Sequence, residues 1–171
     1  PVGLATGMLC RAMGARQIIG VDVVPERMQI AKDLGLCDEV LTAGPNNVNE
    51  VKNLTGGHGV ERAVDCSAHP DARATAIRAT RKRGKIVLLG EGGDLAFQPS
   101  PDMIHDQKTL YGSWVTSIWK MEELVERIVR WGIHPEELVT HRFALDDVGE
   151  AYSLMASGKC GKVAVCFDEE I

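Results

Sequence analysis

A carboxylate, Asp22, closes the apolar run Gln17-Ile18-Ile19-Gly20-Val21, nineteen positions after Gly3. Gly3 itself opens a stretch of apolar and small residues, from Leu4 to Ala12, that reads as a helix. That spacing has a chemistry. A helix N-terminus offers unpaired amides to an anion, and a carboxylate about 20 residues on accepts two hydrogen bonds from a ribose diol. The same carboxylate repels a 2′-phosphate, so Asp22 selects NAD over NADP. The local alternative is an acidic side chain that caps the turn after its strand, within an ordinary buried helix and strand.

The elements that would position such a site follow in order. Short apolar runs alternate with helical patterns, the signature of a parallel sheet covered on both faces. Pro25 opens a helix through about Asp33, with Met28, Ile30, Ala31 and Leu34 apolar and Gly35 past its end. Val40-Leu41 reads as a short strand, Val48 to Leu54 as a helix, and Val60 to Cys66 as a strand. Pro70 to Thr80 is an Ala-rich helix, with Arg78, Arg81, Lys82 and Arg83 as cations at its end. Lys85 to Gly90 is the clearest buried strand, and Pro99 and Pro101 mark a loop. Thr109 to Val115 is a strand, and Met121 to Trp131 an amphipathic helix with Leu124, Val125, Ile128 and Val129 on one face. Thr140 to Phe143, a helix from Leu145 capped by Asp146 or Asp147 and ending at Ser157-Gly158, and the strand Lys162 to Cys166 complete the chain.

Several of these stretches also match a family wording. Pro1-Val2-Gly3-Leu4, Gly20-Val21-Asp22 and Pro25-Glu26-Arg27 resemble the cofactor domain of the zinc-dependent medium-chain alcohol and polyol dehydrogenases. So do Val64-Asp65-Cys66-Ser67-Ala68, Gly84 to Gly90, and the closing helix and strand. Ala68 stands where the family usually has glycine. The resemblance implies an α/β fold, a doubly wound parallel Rossmann sheet, as one dinucleotide-binding domain over residues 1–171. It implies NAD as cofactor, with Val2 and Gly3 at the phosphate turn and Asp22 and Arg27 at the adenosine ribose. Lys162 would reach the pyrophosphate, and Cys66 and Ser67 would flank the adenine and ribose. Leu89, Gly90, Ser113 and Val115 would meet the nicotinamide end through backbone and shape.

The family motif Gly-x-Gly-Pro-Val-Gly is entered here after its first two glycines. By resemblance, the first and central strand would lie just before Pro1, and the zinc ligands in a domain preceding it. The expectation is therefore a sheet lacking its central strand, with the strands from Gln17 and Ala63 facing across a gap. Zinc belongs to the absent domain, no catalytic or metal residue is assigned here, and the segment alone is not expected to turn over.

Composition bounds the rest. With 171 residues, 44% apolar and 25% charged, the chain has globular values, and its net charge of -5 argues against nucleic acid. No apolar run is long enough for a membrane span. Five scattered cysteines without a C-x-x-C pair fit a reducing cytoplasm. The expected partners are a small-molecule alcohol substrate and a second copy of the chain, paired through Thr109–Val115. The leading reading is the NAD-binding portion of a zinc-dependent oxidoreductase for secondary alcohols or polyols. Alternatives are a threonine-type dehydrogenase and a non-catalytic nucleotide-binding or dimerisation module. A methyltransferase is disfavoured by the closing helix–strand pattern, and an NADPH-using quinone reductase by Asp22.

Overall fold

All four strand pairings are parallel, in three sheets ordered β1-β2, β3-β4-β5 and β6-β7. The computed structural model describes residues 1–167. The elements are α1 (Val2–Ala12), β1 (Ile19–Asp22), α2 (Pro25–Asp33), β2 (Glu39–Thr42), α3 (Asn47–Leu54), β3 (Val60–Asp65), α4 (Pro70–Ala79) and β4 (Thr80–Leu88). They continue with β5 (Thr109–Gly112), α5 (Ile118–Trp131), β6 (Val139–Ala144), α6 (Val148–Ser157) and β7 (Lys162–Cys166). Among the described residues β1 has one strand neighbour, β2, and β3 has one, β4. No described helix is long and apolar enough to cross a membrane.

The described residues divide into two compact units, Pro1–Thr42 with residues 118–167, and Ala43–Ser117. In the first, Leu4 and Met8 of α1 pack with Ala31, Leu36 and Leu138, and Ile30, Leu34 and Val40 close over them. Gly7 makes the tight approach: a Cβ there would lie 3.3 Å from the Leu36 Cβ and carbonyl. Pro25 occupies the first turn of α2, and its preset φ and missing N–H cost the helix nothing there. In the second unit Ile77 and Ile86 are fully buried, with Val51 and Ala79 beside them in the core.

Four expectations are corrected. Arg81, Lys82 and Arg83 lie within β4, not at a helix end. Thr80 turns extended and its hydroxyl donates to the Ala76 carbonyl at 2.7 Å, which ends α4 early. The register then jumps from Val60↔Thr80 to Arg62↔Lys85, and this irregularity takes up the basic residues. Pro99 precedes a single wide helical turn, Ser100–Ile104, that contains Pro101, where a loop was expected. β5 stops at Gly112, because Val115 adopts a left-handed φ of 41° that no ladder accommodates. α6 starts beside Asp147 without a side-chain capping bond, after a tight turn at Leu145–Asp147. The amphipathic helix expected over Met121 to Trp131 is present as α5, starting three residues earlier; none of its side chains is buried, and Val125 and Val129 of its apolar face are exposed.

One ion pair of the first unit sets a pH dependence. Arg11 bonds Asp38 at 2.8 Å and the Ile18 amide donates to the same oxygen at 2.6 Å. The Arg11 hydrogen bond, and then the Ile18 amide, hold this carboxyl below the usual aspartate range. A depressed folded value stabilises the fold above the ordinary aspartate value near 4, and that stability is lost as pH falls through the folded value. Asp38→Asn is expected to flatten the fall of the urea midpoint below about pH 4. Equal slopes in variant and parent would show that the pair contributes nothing.

Candidate functional site

In the first unit, α1 starts at Val2 with no side-chain capping bond from Pro1, and the amides of Val2, Gly3 and Leu4 belong to the first turn, which a helix leaves without intrahelical acceptors. Its first turn carries no acidic side chain, so an anion meets no repulsion from it. Val2 and Gly3 are exposed. β1 delivers Asp22 at its carboxyl end, where one carboxylate oxygen accepts from the Val23 amide at 2.7 Å and the Val24 amide at 2.9 Å. The turn-capping alternative is thus real, and it occupies Oδ1 only. Oδ2 has no partner among the described residues and remains able to accept. Arg27 is half-buried on α2, and its Nε donates to the Cys160 carbonyl at 3.2 Å. Its two terminal nitrogens carry no partner among the described residues. Lys162 is exposed at the first position of β7.

In the second unit the strand ends come into register: Asp65 lies opposite Leu88, and Leu88 opposite Gly112. The segments that follow carry Cys66-Ser67, Leu89-Gly90 and Ser113, so the parallel ladder brings these residues to one sheet end. Ser113 donates its amide to the Leu88 carbonyl at 3.1 Å. Leu89 and Gly90 donate theirs to the Asp65 carbonyl at 2.8 and 3.1 Å. Cys66 is half-buried rather than core. The Ser67 hydroxyl donates to Asp65 at 2.8 Å and accepts from the His69 amide at 3.1 Å, so it serves its own turn. Val115 is 77% exposed, two residues beyond Ser113. His69, read as a surface histidine, is exposed and accepts from the Asp71 amide at 3.3 Å as the N-cap of α4.

The residues that the sequence reading passed over are Asp65 and Arg73. Asp65 accepts from the Ser67 amide and hydroxyl and from the Ala68 amide. Arg73, on α4, donates to Asp65 at 3.2 Å, to the Gly90 carbonyl at 2.7 Å and to the Gly93 carbonyl at 2.8 Å. Their side chains are 8% and 2% exposed for Arg73 and Asp65 respectively. The only signal in the sequence was a charge ending an apolar strand, with an opposite charge eight residues on. Neither periodicity nor a motif points to that pair.

Around this pair the backbone is crowded. A Cβ at Gly90 would collide with the Ala68 amide, and one at Gly93 with the Ala68 carbonyl. Ala68 itself sits at φ 63°, the left-handed region where a Cβ costs roughly 1–2 kcal/mol. Ala68→Gly is therefore expected to stabilise the chain by about 1 kcal/mol, after the added freedom of the unfolded state is offset. A chemical-denaturation midpoint would check it, and an unchanged or lowered midpoint would mean the turn is unstrained.

Among the described residues no three His, Cys, Asp or Glu side chains gather as a metal site. Burial pushes the Cys10 and Cys37 thiols up, away from the thiolate that binds metal. The sites that do fit a group are the uncommitted Asp22 oxygen with the open amides of α1, and the packed glycine turn beyond β3 and β4.

Comparison with known proteins agrees with this geometry. Residues 1–130 match the family described as zinc-binding dehydrogenase. The chain is 42% identical over 170 residues to the uncharacterised zinc-type alcohol dehydrogenase-like protein YphC of Escherichia coli K12, covering 99% of this chain and 48% of that one. It is 28% identical over 172 residues to L-threonine 3-dehydrogenase of Shewanella oneidensis, covering 98% and 49%. Benzyl alcohol dehydrogenase from Acinetobacter calcoaceticus superposes with a TM-score of 0.85 at 26% identity, over 98% of this chain and 47% of that one. The chain thus spans about half the length of the curated relatives it matches. Its α/β elements and parallel sheets are Rossmann-like, as in the alcohol dehydrogenase structures. On the family match and the fold together, the chain belongs to the zinc-binding dehydrogenases.

Proposed function

We propose that this chain is the NAD-binding portion of a zinc-dependent oxidoreductase that transfers hydride between a secondary alcohol or polyol and NAD. The observation that carries the reading is Asp22, a carboxylate at a parallel-strand end with one oxygen uncommitted. NAD supplies the hydride acceptor. Asp22 would take the ribose diol, with the terminal nitrogens of Arg27 beside it. The first amides of α1, at Val2 and Gly3, and the Lys162 cation suit the pyrophosphate. Cys66 and Ser67 are assigned to the adenine and ribose side, and Leu89, Gly90, Ser113 and Val115 to the nicotinamide end. Zinc, which would polarise the alcohol oxygen, is proposed to sit in a further domain of the full-length protein, a reading supported by relatives about twice as long as this chain.

The L-threonine 3-dehydrogenase relatives favour a second reading, in which the substrate is a hydroxy amino acid. NAD-dependent turnover by the full-length protein, with zinc measured on the same sample, separates them. Secondary alcohols and polyols are expected to be oxidised. Preference for L-threonine would establish the second reading, and NAD binding without turnover would leave a nucleotide-binding module. A homo-oligomer belongs to the proposal, because β5 is the last strand of its sheet among the described residues and its outer edge is open. Five cysteines, none of them in a disulfide among the described residues, support a cytoplasmic setting.

A further inference from the structure

Arg73 spends its guanidinium on the main chain of a turn that a cofactor would meet. Ligands of open parallel sheets bind beyond the carboxyl ends of the strands. Arg73 sits behind that edge, where it ties the turn after β3, through Asp65, to the turn after β4, through the Gly90 and Gly93 carbonyls. The amides of Leu89 and Gly90 are already given to the Asp65 carbonyl.

We propose that Arg73 is a positioning residue for the nicotinamide half of the cofactor: by holding Asp65 and the Gly90 and Gly93 carbonyls it fixes the Leu89–Gly93 turn against which the nicotinamide end would rest. The inference rests on the NAD reading above. Buried and bonded to two carbonyls and a carboxylate, Arg73 touches no solvent-facing ligand itself and acts through the turn. A fork is needed for the task. Lysine keeps the charge toward Asp65 but lacks the planar geometry that reaches both carbonyls at once.

The experiment compares two ligands on the full chain. Calorimetric titration with NAD and with ADP-ribose, which lacks the nicotinamide, is run on the parent and on Arg73→Lys. The result expected is a tenfold or greater weakening of NAD with ADP-ribose unchanged within about twofold. Equal weakening of both ligands, or of neither, would overturn the positioning role and leave Arg73 a structural residue. Failure of the parent to bind either ligand would instead remove the NAD reading, and this inference with it. Should Arg73→Lys not fold, the parent still answers. Its Arg73 Nε–H resonance is expected to shift with NAD and not with ADP-ribose, and an identical response to both would overturn the role.

Discussion

Arg73→Met is expected to destabilise the folded chain by about 3–5 kcal/mol, because it strands the Asp65 carboxylate in the interior without its counter-charge. The carbonyls of Gly90 and Gly93 lose their donor in the same change. A paired replacement, Arg73→Met with Asp65→Asn, should recover part of the loss, since a neutral amide is cheaper to bury than an unpaired carboxylate. Denaturant midpoints for the two single variants and the double variant form the cycle that measures it. A single-variant cost below about 1 kcal/mol would put the pair in the class of solvent-screened surface bridges. Its low exposure argues for the larger figure.

Asp22→Asn is expected to weaken NAD by roughly 10- to 100-fold, the worth of hydrogen bonds to a charged group at about 1.5–3 kcal/mol. Asparagine keeps an oxygen for the Val23 and Val24 amides, so the turn after β1 survives the change. What is lost is the charge that strengthens the ribose contact and repels a 2′-phosphate. The preference for NAD over NADP should therefore shrink along with the NAD affinity. Unaltered affinity for both nucleotides would confine Asp22 to capping its own turn.

The order of elements was legible because the hydrophobic pattern and the punctuation agree. Pro25, Pro70, Gly35 and Gly158 each mark a boundary that the structure keeps, Gly158 with φ 75° past the end of α6. Asp22 was legible for the same reason, since a strand end and a helix start fix its place by spacing alone. The bounds at Thr80 and Gly112 were not. One depends on a hydroxyl folding back onto Ala76, and the other on a single left-handed residue, Val115. The close approach of α1 to Leu36 falls at Gly7, which no motif in the sequence marks. Arg73 escaped notice because its partners are main-chain carbonyls seventeen and twenty residues away. A sequence displays side-chain types and spacings, and main-chain acceptors brought together by a fold carry no letter of their own.

The central claim is that Asp22 and the α1 N-terminus make this chain an NAD site. Calorimetric titration of the unaltered chain with NAD and with NADP tests it most directly. The expected result is saturable NAD binding with NADP at least tenfold weaker, a difference of about 1.4 kcal/mol. Binding of neither nucleotide, or NADP bound as tightly as NAD, would contradict it.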